Sequence, residues 1–238
     1  MCDHWMPALT LPLSPEQFQQ LPRNGAYRYD YHDGQASLWP RARHYHALLE
    51  LQPRPEPLTL SYRPLLGSDW DALIPVFAEA FQTTQPFGSL DDNLRMEAAR
   101  QALSRTRLNR DGPWIADASL VVLADEAPAG AILVTLLPQG DPCDWDCYSW
   151  QEPPPADCIA RCLGQPHLTW VFVRPALVGR GLGTALLDAA ANRLLRLGFR
   201  HLLTTFMIGN DASALWHWRN GFRLLAYPGS RRRRGAVS

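Results

Sequence analysis

The chain contains no lysine; all 23 of its basic residues are arginine, a bias we read as genome composition rather than function. Those arginines face 23 acidic residues, so the formal net charge is zero and the whole-chain balance points to neither nucleic acid nor a membrane surface. Long apolar runs are missing too, since none approaches the roughly 18 residues that span a bilayer. The first residues, with Asp3, Pro7 and Pro12, lack the basic start and apolar stretch of a secretory signal. These absences lead to the expectation of a cytoplasmic protein with no membrane partner. No internal repeat is visible. What the chain does have is apolar bulk: 46% hydrophobic residues and nine tryptophans in 238 residues suffice for a substantial core in one or two domains.

Its most informative stretch runs from residue 167 to 198. His167 to Val173 is rich in β-branched and aromatic residues, as a strand is, and Pro175 stops it. A helix is expected from about Arg180, with Leu182, Leu186, Ala190 and Leu194 at helical spacing and Gly198 as its left-handed cap. Between them lie Gly179, Gly181 and Gly183. Glycines there remove Cβ atoms that would hold a ligand away from the backbone, so the amides of Gly179 to Thr184 can cradle a phosphate at the positive end of the helix. Arg180 adds charge nearby. A dinucleotide fingerprint needs glycine or alanine three residues after its second glycine, but Thr184 stands there, and the turn comes late in the chain. The ATP/GTP P-loop needs Gly-Lys-Ser/Thr, which a chain without lysine cannot supply. A turn that serves only tight strand–helix packing is the plain alternative.

Residues 173–183 resemble the cofactor signature of the GNAT superfamily of N-acetyltransferases, V-x-P-x-x-(R/Q)-G-x-G-(I/L)-G, with Val178 where Arg or Gln is usual. Asn210 to Phe222 is similar to that superfamily's closing segment, N-x-x-A-x-x-(L/F)-Y-x-x-x-G-F. Here Ser213, Trp216 and His217 replace the alanine, the aliphatic or Phe, and the tyrosine. The resemblance implies an α/β fold with a mixed, mostly antiparallel central sheet whose fourth and fifth strands run parallel and splay apart. It implies acetyl-coenzyme A as acyl donor and an amine of a small molecule or peptide as acceptor. Cofactor contacts are then expected at Val171, Phe172 and Val173 of the fourth strand, at Gly179, Arg180, Gly181, Leu182, Gly183 and Thr184, and at Asn210. His217 takes the catalytic position, as a weaker acid, a base or a hydrogen-bonding partner of the sulfur; packing between Trp216 and Trp218 is its plain alternative. The amine must be neutral to attack, and Glu79, His167 or water could take its proton. A non-catalytic acyl-CoA-binding module, keeping the cradle without the acid and base, is the second functional reading.

Three units are expected. Residues 1–56 form a small β-rich extension, in which Ala26 to Tyr31 and Gln35 to Trp39 flank the hairpin signal Asp33-Gly34 and His44 to Leu51 add a helix or a third strand. Prolines 53, 55 and 57 make a stiff connector. Residues 57–228 form the acetyltransferase-like domain. It should open with a strand at Leu58 to Arg63 and a helix capped by Ser68, continue through a helix around Leu90 to Leu108 and strands Ser119 to Ala124 and Ala129 to Leu137, and end on a strand at Arg223 to Tyr227. Residues 229–238 are a basic tail whose Arg231 to Arg234 are read as solvated, so no nucleic-acid partner is expected. A homodimer is left open. Cys143, Cys147, Cys158 and Cys162 fall in one long loop; their three-residue spacings do not match a zinc knuckle, and free thiols beside a lid of Trp145, Tyr148 and Trp150 are expected, with no metal.

Overall fold

The computed structural model describes residues 9–21, 27–40, 44–56, 61–142, 149–207 and 210–225. Near the start of the chain, Asp33 and Gly34 both take positive φ, 48° and 75°, as a two-residue hairpin turn with the strands' own twist requires. The turn joins β2 (Tyr27–His32) to β3 (Gln35–Pro40), and β1 (Leu9–Pro12) pairs antiparallel with the other edge of β3. The short helix α1 (Pro15–Gln20) follows β1 and opens with a reciprocal capping box between Ser14 and Gln17. Leu11 and Leu38 of this small sheet, with Leu13 just after β1, are buried in one cluster with the helices described next.

The main sheet has seven strands in the order β10 (Arg223–Leu224), β4 (His44–Glu50), β9 (His201–Met207), β8 (Gly164–Val173), β7 (Ala127–Pro138), β6 (Leu120–Ala124) and β5 (Tyr62–Pro64). Every pair is antiparallel except β8–β9. Helices α2 (Asp69–Ala80) and α3 (Asp92–Arg107) cover one face, where Leu73, Phe77 and Ala102 meet Ala131, Leu133 and Phe172. Helix α4 (Leu182–Arg196) covers the other with Leu186, Leu187, Ala190 and Leu194, and Trp216 of α5 (Asp211–Arg219) packs beside it.

Several expectations change in detail. His44 to Glu50 is a strand, and it does not join the small N-terminal sheet: it lies between β9 and β10, paired with β9 along all seven residues. The residues assigned to an extension thus supply an interior strand of the main sheet. Its burial explains the placement, for Ala47, Leu48 and Leu49 are each under 5% exposed. The connector behind it is clasped rather than free. Arg54 forms an ion pair with Asp188 of α4 at 2.7 Å, exchanges two backbone bonds of 2.9 Å with the Asn192 amide, and donates to the Asn220 carbonyl at 2.7 Å.

At the start of α2, Ser68 makes no cap bond; Asp69 accepts from the Leu66 amide at 2.7 Å and holds Arg63 bidentately, which keeps its carboxyl below the usual range. The first strand of the domain is described only as Tyr62–Pro64, with residues 57–60 outside the described part, as are Tyr227 and the basic tail. Gly198 has φ 97°, the left-handed conformation expected of the cap after α4.

Candidate functional site

The site begins with a register mismatch. Along β7 and β8, Leu133 pairs with Trp170 and Val134 with Leu168, so Thr169 is an extra residue, a β-bulge. On its other side β8 touches β9 only at His167↔Leu203 and Leu168↔Thr204. The parallel strands therefore part where the bulge bends β8, and the β9-facing edge of Thr169 to Val173 has no β9 partner. That segment holds Val171, Phe172 and Val173. Phe172 points its ring into the α2 face, leaving its backbone rather than its side chain for a ligand along this edge.

The same strand leads into the glycine turn. Gly179 and Gly181 have φ of 84° and 77°, and a Cβ on either would meet nothing within 4 Å. Gly181 is the N-cap of α4, whose first intrahelical bond is Ala185 N–H to Gly181 C=O at 2.9 Å. The amides of Leu182, Gly183 and Thr184 thus have no partner inside the helix and carry its positive end. Gly183 differs: its φ is not left-handed, and a Cβ there would make an ordinary contact of 3.4 Å with the Trp216 indole nitrogen, so α5 lies directly against this turn of α4. Arg180 is exposed beside the turn, and Val178, in extended conformation, is 67% exposed.

Across the gap stands α5. Asn210 caps it through Oδ1, which accepts from the Ser213 amide at 3.1 Å, and this cap leaves the NH2 end of the side chain unused. His217, one turn beyond Ser213, is buried. A carbonyl oxygen can only accept, so the 2.7 Å contact between Nδ1 and the Ser213 carbonyl places the imidazole proton on Nδ1. Nε2 then carries the lone pair, and the Thr204 hydroxyl, 3.1 Å away, donates to it. Burial lowers the His217 pKa to about 4, opposed by the Ser213 bond. The ring is stacked on Phe206 and meets Trp216 and Phe222 edge-on; Trp218, expected as a packing neighbour, is 72% exposed.

A cavity of about 850 Å³ runs through the gap between β8 and β9. Asn210, Ser213, His217 and Thr204 line it on the α4–α5 side; Phe81, Trp114, Trp170 and His167 line it on the other. His167 contacts the Thr169 hydroxyl at 3.2 Å and the Thr205 hydroxyl at 3.3 Å, and Thr169 in turn contacts Thr135 at 2.8 Å. Burial, with a smaller contribution from His217, drives the His167 pKa to about 3.

The acetyltransferase (GNAT) family profile matches residues 92–222, more than half of the chain and all of the elements just described from α3 to the residue before β10. The chain belongs to the GNAT acetyltransferase family. No curated protein matches its sequence. Among solved structures, a GCN5-related N-acetyltransferase from Sphaerobacter thermophilus superposes with a TM-score of 0.50 at 18% identity, over 88% of this chain and 52% of that one. The PaiA N-acetyltransferase from Thermoplasma acidophilum, solved with coenzyme A, gives 0.47 at 18% identity over 72% and 94%. A GNAT family acetyltransferase from Brucella melitensis, solved with acetyl-CoA, gives 0.46 at 19% identity over 71% and 88%.

Within this GNAT fold the two side chains considered as bases are placed differently. Glu79 lies on α2 in an ion pair with Arg174 at 3.1 Å, apart from the residues that line the cavity. His167 lines the cavity, but its depressed pKa leaves it a weak base. Of the cysteines, Cys158 is buried in the cavity wall and Cys162 directs its thiol to the Leu197 carbonyl at 3.3 Å. Cys143, Cys147, Trp145 and Tyr148 lie outside the described residues. Trp150 donates to the Leu136 carbonyl at 2.8 Å and lines the cavity. Among the described residues no group of three or more His, Cys, Asp or Glu could hold a metal, and no helix is long and apolar enough to cross a membrane. Thr204, Thr205 and Trp170 were not singled out from the sequence; two adjacent threonines set between the apolar pairs Leu202-Leu203 and Phe206-Met207 are the signal that could have marked the threonines.

Proposed function

We propose that this chain moves an acetyl group from acetyl-coenzyme A to an amine of a small molecule or peptide. The observation that carries the reading is the parting of β8 from β9 at Thr169, on the strand that leads into the glycine turn that opens α4. An extended pantetheine arm would add to the free edge of β8 through the backbone of Val171, Phe172 and Val173, as a peptide adds to a sheet. Its pyrophosphate would meet the amides of Gly179 to Thr184 and the charge of Arg180, and Asn210 would donate its amide from the far side. The donor then supplies an activated acetyl carbon inside the cavity.

The amine attacks that carbon, the C–N bond forms as the C–S bond breaks, and one proton passes net from nitrogen to sulfur. The chain contributes alignment, exclusion of water and hydrogen bonds. His217, neutral at pH 7, serves in this reading as a hydrogen-bonding group: its Nδ1 proton is committed to Ser213, and its Nε2 lone pair accepts the Thr204 hydroxyl proton in a hydrogen bond and so fixes that hydroxyl in the cavity wall. Those same commitments favour the second reading, an acyl-CoA-binding module without turnover. The discriminating experiment is thiol release from acetyl-CoA across a panel of amines, run beside calorimetric titration with coenzyme A. Binding with amine-dependent release supports the transferase; binding without release supports the module; no binding overturns both.

A further inference from the structure

Phe81, Phe87, Trp114 and Trp170 line the cavity on the α2–α3 face and all belong to the core built there. Trp170 follows the bulge residue directly, where β8 leaves β9. Its ring makes T-shaped contacts with Phe77 at 4.9 Å and with Phe81 at 5.9 Å, both at 77°. A chain of polar contacts fixes that ring in its plane. The indole N–H donates to Thr106 at 3.1 Å, the Thr106 hydroxyl donates to Asp111 at 2.8 Å, and the other Asp111 oxygen accepts from Arg105 at 3.2 Å. Thr106 is fully buried and the Asp111 side chain is 12% exposed. A carboxylate in the wall of an amine-binding cavity would suit an ammonium group. Here both of its oxygens are committed within the protein, and what they hold is Thr106 and, through it, Trp170.

We infer that the acceptor is an amine carried on an aromatic or similarly broad apolar body, that Trp170 is the wall selecting it, and that Thr106 positions Trp170. The inference rests on the acetyl-transfer reading above and narrows its acceptor. A ring held at a fixed angle in the cavity wall offers a constant aromatic surface to another flat group, and burying one phenyl group strengthens binding by roughly tenfold or more. Charge on the acceptor is not what this wall reads.

The test uses the whole chain with acetyl-CoA and three amines: 2-phenylethylamine, ethylamine and spermidine. The expected kcat/KM for 2-phenylethylamine exceeds the other two by about tenfold or more. Thr106→Val, which removes the hydroxyl and with it the bonds to both the Trp170 indole and Asp111, should raise KM for 2-phenylethylamine by roughly five- to tenfold because the ring is no longer fixed. It should leave kcat, KM for ethylamine and acetyl-CoA affinity unchanged, and Thr106→Ser should restore the original KM. Should Thr106→Val fail to fold, Trp170→Leu takes its place and should erase the preference between the amines. A preference for spermidine, or a Thr106→Val effect equal for both monoamines, overturns the inference while acetyl transfer stands. If acetyl-CoA binds and no amine is consumed, coenzyme A-loaded protein is titrated with 2-phenylethylamine by calorimetry, and absence of binding overturns it. Failure to bind coenzyme A overturns the acetyl-transfer reading instead.

Discussion

The imidazole of His217 lies nearly parallel to the ring of Phe206, with centroids 4.4 Å apart and planes at 11°. Phe206 comes from β9 and His217 from α5, so this stack ties the helix to the strand that borders the gap. An apolar face pressed on an imidazole removes water from it and disfavours the imidazolium. The position that the family fills with a neutral phenol is filled here by an imidazole that burial also keeps neutral, with a pKa near 4.

The first consequence is kinetic. His217→Ala removes the hydrogen bond that holds Thr204 and should lower turnover by up to roughly tenfold, with little change in coenzyme A affinity. An imidazole with an ordinary pKa would impose a limb in the pH profile near pH 6 to 7. With His217 at about 4, that limb should move to about pH 4, and the wild type and His217→Tyr should have similar profiles above pH 6. Stopped-assay profiles over pH 4 to 8 check it; a wild-type limb at pH 6 to 7 that His217→Tyr abolishes would show a charged catalytic histidine instead.

The cradle glycines should separate into two classes. Gly181→Val imposes a side chain on a φ of 77°, where backbone strain costs about 1–3 kcal/mol, and sets methyl groups in the space over the amides. Coenzyme A binding should be lost while circular dichroism still shows a folded chain. Gly183→Val should also lower the melting temperature, through its γ-methyls against Trp216, but Gly183→Ala, whose Cβ would sit at an ordinary 3.4 Å from that ring, should keep both fold and coenzyme A binding. Coenzyme A binding retained by Gly181→Val, or lost in Gly183→Ala, would contradict the division.

Val178 gives a gain-of-affinity test. Its side chain is 67% exposed and leaves no core gap when replaced. Val178→Arg should tighten coenzyme A binding by about 1 kcal/mol, roughly fivefold in Kd, by adding one charged hydrogen bond to the pyrophosphate. Unchanged affinity would place the pyrophosphate away from this residue.

What the sequence revealed was local. The turn at Asp33-Gly34, the glycine turn before α4 and the Asn210 cap each depend on a few neighbouring residues, and all three were legible. The partner of a strand is not local: the run His44 to Glu50 has the composition of a buried strand, but nothing in it says that β9 and β10 will flank it. The bulge at Thr169 exists only as a mismatch between two strands far apart in sequence. Likewise the ionisation of His217 is set by Phe206 and Phe222, which only the fold brings to it. Ser68 failed as a cap for a nearer reason, because the Asp69 carboxylate, already held by Arg63, reached the Leu66 amide instead.

Because β4 is an interior strand, the region before the connector should not unfold separately from the rest. Leu49→Ala, in the cluster that includes Leu187 of α4, should cost about 2–5 kcal/mol, the range for a buried leucine. Denaturant unfolding of both Leu49→Ala and Leu187→Ala should show a single transition displaced by similar amounts. A separate early transition in Leu49→Ala alone would mean that the N-terminal residues fold as their own unit.

The buried histidines make stability depend on acid. His46 and His167 are held near pKa 3 and His217 near 4, in each case chiefly by burial, with neighbouring histidines lowering the first two further. In the unfolded chain each returns to about 6.5. Between these values the unfolded state binds more protons than the folded one, so stability rises with pH across that window. It should be fully present above about pH 7 and fall progressively as the pH drops through 6 toward 4, by several kcal/mol in order of magnitude for three groups. Urea unfolding at pH 5 and pH 7.5 measures the difference. Replacing His167 with Asn should flatten the slope between those two points, and a slope unchanged by that variant would show that His167 titrates normally and that water reaches it in the gap between β8 and β9.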